Sequence, residues 1–357
     1  MREIRLIDTG PASALRSHAL YHGLTSGVSG DQPDTLVLSV PTQYYVSLGC
    51  YEECFQRQTS SIAARRAFPS FGVRSAVVRT CSAPISSSSR PSYHARRCAK
   101  SATRMYHGIL RVAVETYRDF GVDAHYLPFT DIRVGRSRIS AGALGRLNES
   151  VVLASSLAYG NDPDIERAAL TSHARVETTS MQRELGSPPD REAVKARFLE
   201  NFVRNLEARL VPGFLTEEER AELERLEEVL SSPEWLGQAD ERVRQLKEWD
   251  ASDEVVRVAE GQHVTTDGVT IRATVRVSTG TVDDLALTGN FLFYKDHLSE
   301  LEDSFRGATA EWDALMTVAE NFYLVHQVDC PGVTPHDWVR AIHNALTGSS
   351  SDEPVVR

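Results

Sequence analysis

Apolar and polar residues alternate from Glu3 to Asp8, which predicts a strand. Pro11 suits the first turn of a helix whose Leu15, Ala19, Leu20 and Leu24 share one face. Thr35 to Val40 and Tyr45 to Leu48 read as two further strands joined through Pro41. From Met105 the spacing of Ile109, Val112, Val114 and Tyr117 predicts a helix capped by Gly121. A hairpin is predicted over Asp131 to Ser140. Ile132 and Val134 alternate with polar neighbours, Gly135-Arg136-Ser137 makes the turn, and Ile139 resumes the strand. Val151 to Tyr159 is a mostly apolar strand closed by Gly160-Asn161-Asp162-Pro163, and Asp164 to Leu170 reads as a short helix.

Asp190 then opens a helix with Val194, Phe198, Phe202 and Leu206 on one stripe. Thr216 to Glu219 is a capping box for the next helix, which Ser232-Pro233-Glu234-Trp235 ends. A highly charged helix around Glu241 to Trp249 reads as a link. Beyond it the texture changes to three alternating runs, Val255 to Val264, Gly268 to Val277 and Val282 to Phe293, as expected of an antiparallel meander with one buried face. Asp296, Thr309 and Thr334-Pro335 are expected to cap three final helices. The pattern is α+β: a mixed, largely antiparallel sheet with flanking helices over residues 1–237, a smaller α+β domain over 250–346, and a disordered tail over 347–357.

Composition narrows the class. A hydrophobic fraction of 41% and a charged fraction of 25% are ordinary for a globular protein. No apolar run approaches membrane-spanning length, and the strand at the N-terminus lacks the apolar core of a signal peptide. The five cysteines are odd in number and irregularly spaced, which argues for reduced thiols in a cytoplasmic protein. A net charge of -10 disfavours nucleic acid as a partner. His18 and His22 have the i, i+4 spacing of a metal pair, and Cys50 and Cys54 lie close together, but neither pair has the further ligands of a zinc site, so no metal site is expected. Cys330 reads as structural.

The hairpin carries the most specific signal. Asp131-Ile-Arg-Val-Gly-Arg-Ser-Arg-Ile-Ser140 resembles the N-D-I-x-V-x-G-R-K-I-S-G run of lipoate–protein ligases, a family related to biotin ligases and class II synthetases. Arg138 stands where the family has lysine, and Ala141 where it has glycine. The opening Leu6-Ile7-Asp8, the helix after it and the next strands are similar to the family's acyl pocket, and the C-terminal domain is similar to its accessory domain. The resemblance implies ATP-dependent activation of lipoate to lipoyl-adenylate, usually with Mg²⁺, and transfer to a lysine of a lipoyl-carrier domain. Such carriers include a dehydrogenase-complex acyltransferase subunit and the glycine-cleavage carrier protein. It implies Arg138 as the catalytic cation, with Asp131, Ile132, Gly135, Ile139 and Ser140 around the nucleotide and acyl-adenylate. On the residues alone, Asp131 is equally a turn aspartate accepting backbone hydrogen bonds. A transferase acting without ATP, with Cys50 as its nucleophile, and a non-catalytic carrier-binding homologue are the alternatives.

The resemblance breaks between Gln58 and Arg104. No Asp or Glu occurs between Glu53 and Glu115, whereas Arg65-Arg66, Arg96-Arg97 and the Ser86 to Ser89 run do. A basic, serine-rich stretch of this kind reads as structureless, which is unusual inside a compact domain. Phe68 to Arg90, written in GC-rich codons and read without the first two bases, can give PVVRRPVGGGADVLGADQLFVQ. That string contains R-R-P-V-G-G-G, which matches the R-R-x-x-G-G-G of the family's acyl- and nucleotide-binding motif R-R-x-x-G-G-G-x-V at the expected place, with the valine one residue later. The same frame extends upstream as DVEHRRAPGV and downstream as IPRAALREERDPDV, and it rejoins near Met105. Residues 58–104, to within a few residues, are therefore expected to be an out-of-frame stretch that replaces the phosphate loop; a genuine basic insertion is the alternative.

Overall fold

The computed structural model describes residues 2–24, 34–42, 51, 53, 81–87, 95–127, 131–147, 150–160, 177–236, 238–248, 256–291, 293, 295–328, 330 and 332–348. The chain forms two compact units, 1–47 with 57–236 and 48–56 with 237–357. No helix among the described residues is long and apolar enough to cross a membrane.

The first unit is built on an eight-stranded sheet. Its strands are β1 (Arg2–Ala12), β2 (Thr35–Pro41), β3 (Cys81–Ser87), β4 (His125–Leu127), β5 (Asp131–Val134), β6 (Ser137–Leu147), β7 (Ser150–Leu157) and β8 (Ala208–Pro212), in the order β4-β5-β6-β7-β3-β2-β1-β8. β1 runs parallel to β2 and β8, and the other described pairings are antiparallel. The helices of this unit are α1 (Ala14–Gly23), α2 (Ala95–Asp119), α3 (Met181–Leu185), α4 (Arg191–Leu206), α5 (Glu217–Ser231) and α6 (Pro233–Leu236). One core cluster gathers Leu36, Leu110, Tyr117, Ile132, Leu153, Phe198 and Phe202. A second joins Leu20 of α1 and its C-cap Leu24 to Val37 and Leu223.

Several expected boundaries move. Pro11 lies inside β1, not in the first turn of a helix, because Ser13 supplies the cap by accepting from Arg16 N–H at 3.0 Å. The caps fall where expected: Asp190 accepts from Ala193 N–H at 2.7 Å, and Thr216 and Glu219 bond reciprocally in a capping box. β8 and α3 are additions that the sequence pattern did not mark. β8 follows directly from α4 through Glu207, whose positive φ of 50° turns the chain. The strand expected at Tyr45 to Leu48 and the helix expected at Asp164 to Leu170 lie outside the described residues, as does the tail from 349.

Part of the stretch expected to be structureless has secondary structure. Cys81–Ser87 fills the slot between β2 and β7, where two strand edges each present an unpaired row of N–H and C=O groups. Pro84 sits in the middle of this central strand, opposite Ala154, and brings no N–H to the ladder. Within the same stretch, α2 begins at Ala95, well before Met105. The remainder, 58–80 and 88–94, lies outside the described residues.

The second unit is a three-stranded meander, β9 (Val256–Val264), β10 (Thr270–Ser278) and β11 (Thr281–Gly289), in the order β11-β10-β9. It carries helices α7 (Gln238–Lys247), α8 (Lys295–Ser304), α9 (Trp312–His326) and α10 (Pro335–Thr347). The charged helix expected to be a link packs here as α7. Its Ala239, Val243 and Leu246 are buried, and Arg242 grips Asp284 at 2.8 Å. Asp296 falls inside the first turn of α8, and Glu311, not Thr309, is the cap position of α9, since Thr309 bridges to Thr281. Thr334 precedes α10 as expected, held by Asp337 at 2.8 Å.

A short early segment completes this unit. Tyr51 stacks on Phe291 with centroids 5.0 Å apart, donates its hydroxyl to Phe293 O at 2.9 Å, and accepts from Gly289 N–H at 2.8 Å. Buried Glu53 accepts from the Thr288 hydroxyl at 2.8 Å.

Candidate functional site

The predicted hairpin forms with a two-residue turn, Gly135-Arg136, and Val134 opposite Ser137. Gly135 has φ of 56°, the positive value that a glycine tolerates at the first position of such a turn. Asp131 pairs with Ala141 and Ile132 with Ser140, but Arg133 pairs with Arg138, so the register shifts and Ile139 is the extra residue of β6.

This bulge decides where the candidate cation points. In an unbroken ladder Arg138 would lie opposite Val134, on the face that Ile132 and Ser140 turn to the core. One extra residue reverses that parity and sets Arg138 on the face of Asp131 and Arg133. The bulge is secured from two sides. Buried Tyr117 of α2 donates to Ile139 O at 3.5 Å and accepts from Ala158 N–H at 2.7 Å. The chain at 177–179 takes up the Arg138 backbone, with Arg138 N–H donating to Glu177 O at 2.8 Å and Thr179 N–H to Arg138 O at 2.9 Å.

On this half-buried face the charges are grouped. Arg133 places Nη2 2.9 Å and Nε 3.3 Å from Asp131 Oδ2, and also donates to Arg136 O at 3.2 Å. Arg138 brings Nη1 to 3.9 Å from Asp131 Oδ1, beyond hydrogen-bond length, with 23% of its side chain exposed. Two guanidinium groups thus stand around one carboxylate, and a guanidinium is the planar donor that suits a phosphoryl group.

The predicted site residues thus divide. Asp131 and Arg138 share one half-buried face. Gly135 is at the exposed turn, and Ile132, Ile139 and Ser140 are buried, with the Ser140 hydroxyl donating to Ser156 O. These last three form the floor beneath the charged face. Arg133 was not singled out in the sequence, although alternation along β5 put it beside Asp131. Cys50, Cys54 and 68–80, where the phosphate loop is expected, lie outside the described residues. His18 and His22 are on α1; burial, with the charge of His22 adding to it, holds His18 down to about 3, and burial takes His22 to about 4. Cys330 is buried in the core of the second unit.

The sequence matches no family model, and no curated protein matches it. Solved structures match its fold. The crystal structure of lipoate-protein ligase A bound with ATP aligns with a TM-score of 0.56 at 16% identity, over 67% of this chain and 100% of that one. LipL1 of P. falciparum in complex with lipoate aligns with a TM-score of 0.65 at 9% identity, over 98% of this chain and 100% of that one. The bi-partite lipoate protein ligase of Thermoplasma acidophilum, studied with its E2 lipoyl domain, aligns at 0.54 and 15% identity, over 67% and 96%. The chain has the α+β fold of these ligases.

Proposed function

Proceeding from that fold, we propose that this protein is a lipoate–protein ligase whose phosphate loop has been replaced by an out-of-frame stretch at 58–104. The observation that carries the reading is the β-bulge at Ile139, which turns Arg138 onto the half-buried face of Asp131 and Arg133 in the hairpin that resembles the family's adenylate-contacting run. The neighbours bound with ATP and with lipoate support the same pair of substrates here, and the neighbour studied with an E2 lipoyl domain supports a lipoyl-carrier domain as partner.

In the first step a lipoate carboxylate oxygen attacks the α-phosphorus of ATP, and pyrophosphate leaves. Negative charge grows on the phosphoryl oxygens, and Arg138 is the described cation set to meet it. In the second step the amine of a carrier lysine attacks the acyl carbonyl, loses its proton and displaces AMP. A guanidinium is broader than an ammonium and places its charge further from the strand, so Arg138 serves less well than lysine at a close phosphoryl contact. Both oxygens of Asp131 face guanidinium groups, which does not fit a Mg²⁺ ligand, and no step is assigned to that ion.

The strand Cys81–Ser87 supports the out-of-frame reading. It holds a central position with Pro84 at its middle, a residue that central strands ordinarily exclude. The restored frame supplies instead the glycine triplet that lets a main chain approach phosphates.

The test is to read the gene from codon 50 to codon 110, and to express both frames with ATP, lipoate and an apo-lipoyl domain. Pyrophosphate release and carrier lipoylation from the restored frame alone are expected. Equal activity from both frames sinks the out-of-frame reading, and carrier acylation without pyrophosphate release sinks the ligase in favour of a transferase. Carrier binding by both frames, without acylation by either, identifies a non-catalytic homologue.

A further inference from the structure

The second unit carries a cluster that the ligase reading does not use. His297 and Glu300 are three residues apart on α8, and His326 is the last residue of α9. One donor atom from each lies within 4.8 Å of the other two. His326 Nδ1 is 3.5 Å from Glu300 Oε2, and the two imidazole rings cross at 64° with centroids 5.5 Å apart. Phe322, one turn earlier on α9, stacks on His326 at 4.2 Å and 19° and fixes the plane of that ring.

We propose that His297, Glu300 and His326 bind a late first-row divalent cation, Zn²⁺ being the best fit, and that the ion clamps α8 to α9. Ligands about 2.1 Å from a tetrahedral zinc stand about 3.4 Å from one another. The His326–Glu300 pair already has that separation. The separations that remain, from His297 to the other two donors, are at most 4.8 Å and close to it by shifts of about 1.4 Å or less, within reach of side-chain rotation. Two imidazoles and one carboxylate select against Mg²⁺ and Ca²⁺, which take oxygen ligands. Three protein donors leave a fourth position to water, the composition of an open zinc site. A surface ion pair requires only His326 and Glu300; His297, on the same turn as Glu300, brings a third donor atom within 4.8 Å of both.

The experiment uses the full chain, treated with chelator and then titrated with zinc sulfate by calorimetry. Amide exchange is followed with and without the metal. Stoichiometric binding is expected, with slower exchange in α8 and at the end of α9. Glu300→Gln and His326→Gln both change exposed side chains, so both variants should fold. Each is expected to keep the melting temperature of the metal-free chain and to weaken zinc binding about tenfold or more. Zinc binding unchanged in both variants would place the ion elsewhere and overturn the proposal. Absence of binding at about 100 Kd of a typical micromolar site would overturn it equally.

Discussion

Arg133 and Arg138 stand opposite one another across the β5–β6 ladder, one guanidinium at each oxygen of Asp131. The pair is a product of the bulge at Ile139, since a regular ladder would send Arg138 to the core face. In the frame-restored chain, Arg138→Ala is expected to lower pyrophosphate release by about tenfold or more, as loss of one preorganised charge contact does. Arg138→Lys, which matches the family run, is expected to raise it. A lysine variant slower than the parent, measured at saturating ATP, would refute the assignment of this side chain.

Tyr117 connects the helix to the bulge. Tyr117→Phe removes the donor to Ile139 O and leaves the buried Ala158 N–H without its partner, at a cost of about 1–3 kcal/mol. Urea unfolding is the measurement. A positioning role adds a second outcome: kcat falls more than KM rises, because Arg138 loses its fixed direction. A stability loss with unchanged kinetics would make Tyr117 a core residue only.

Gly261 of β9 lies against the backbone of α10. A Cβ there would come within 2.1 Å of Ala345 N and 2.7 Å of Ala341 O, and neither is a side chain that can turn aside. Gly261→Ala should therefore push helix from sheet and cost about 1–3 kcal/mol in the second unit. Amide exchange in α10 should speed up, while that of α2 stays unchanged. Unaltered exchange in α10 would contradict so close an approach.

The two units should respond to pH in opposite directions. His18 and His22 have folded values of about 3 and 4, below the unfolded 6.5. The unfolded chain thus binds protons first, and the first unit loses stability as pH falls from about 6.5 towards 4, by about 1.4 kcal/mol per pH unit for His18. In the second unit, burial raises Glu302 to about 7, only partly offset by the Leu287 N–H and Arg242. There the unfolded carboxyl ionises first, so stability present below about pH 4.5 is lost as pH rises to 7. Exchange of α1 and α8 amides at pH 5 and pH 7.5 would check both signs; a common direction would contradict them.

The sequence by itself determined most of the elements and much of the candidate face. The alternation of Ile132 and Val134, the glycine at the turn and the caps at Asp190 and Thr216 are local consequences of side-chain period and backbone hydrogen bonding, and local rules are readable in order along the chain. The likeness of the hairpin to a ligase run was legible for the same reason. The His297, Glu300 and His326 cluster was not, because His297 and Glu300 look like any polar helix face until α9 brings His326 beside them. Only the tertiary structure decided that Ile139 bulges, that Arg133 joins Arg138 at Asp131, and that Tyr51 and Glu53 complete the second unit across more than 230 residues of chain. Register and long-range pairing depend on which edges meet in space. A side-chain pattern fixes what an element buries, whereas the choice of neighbour comes from burying all the faces together.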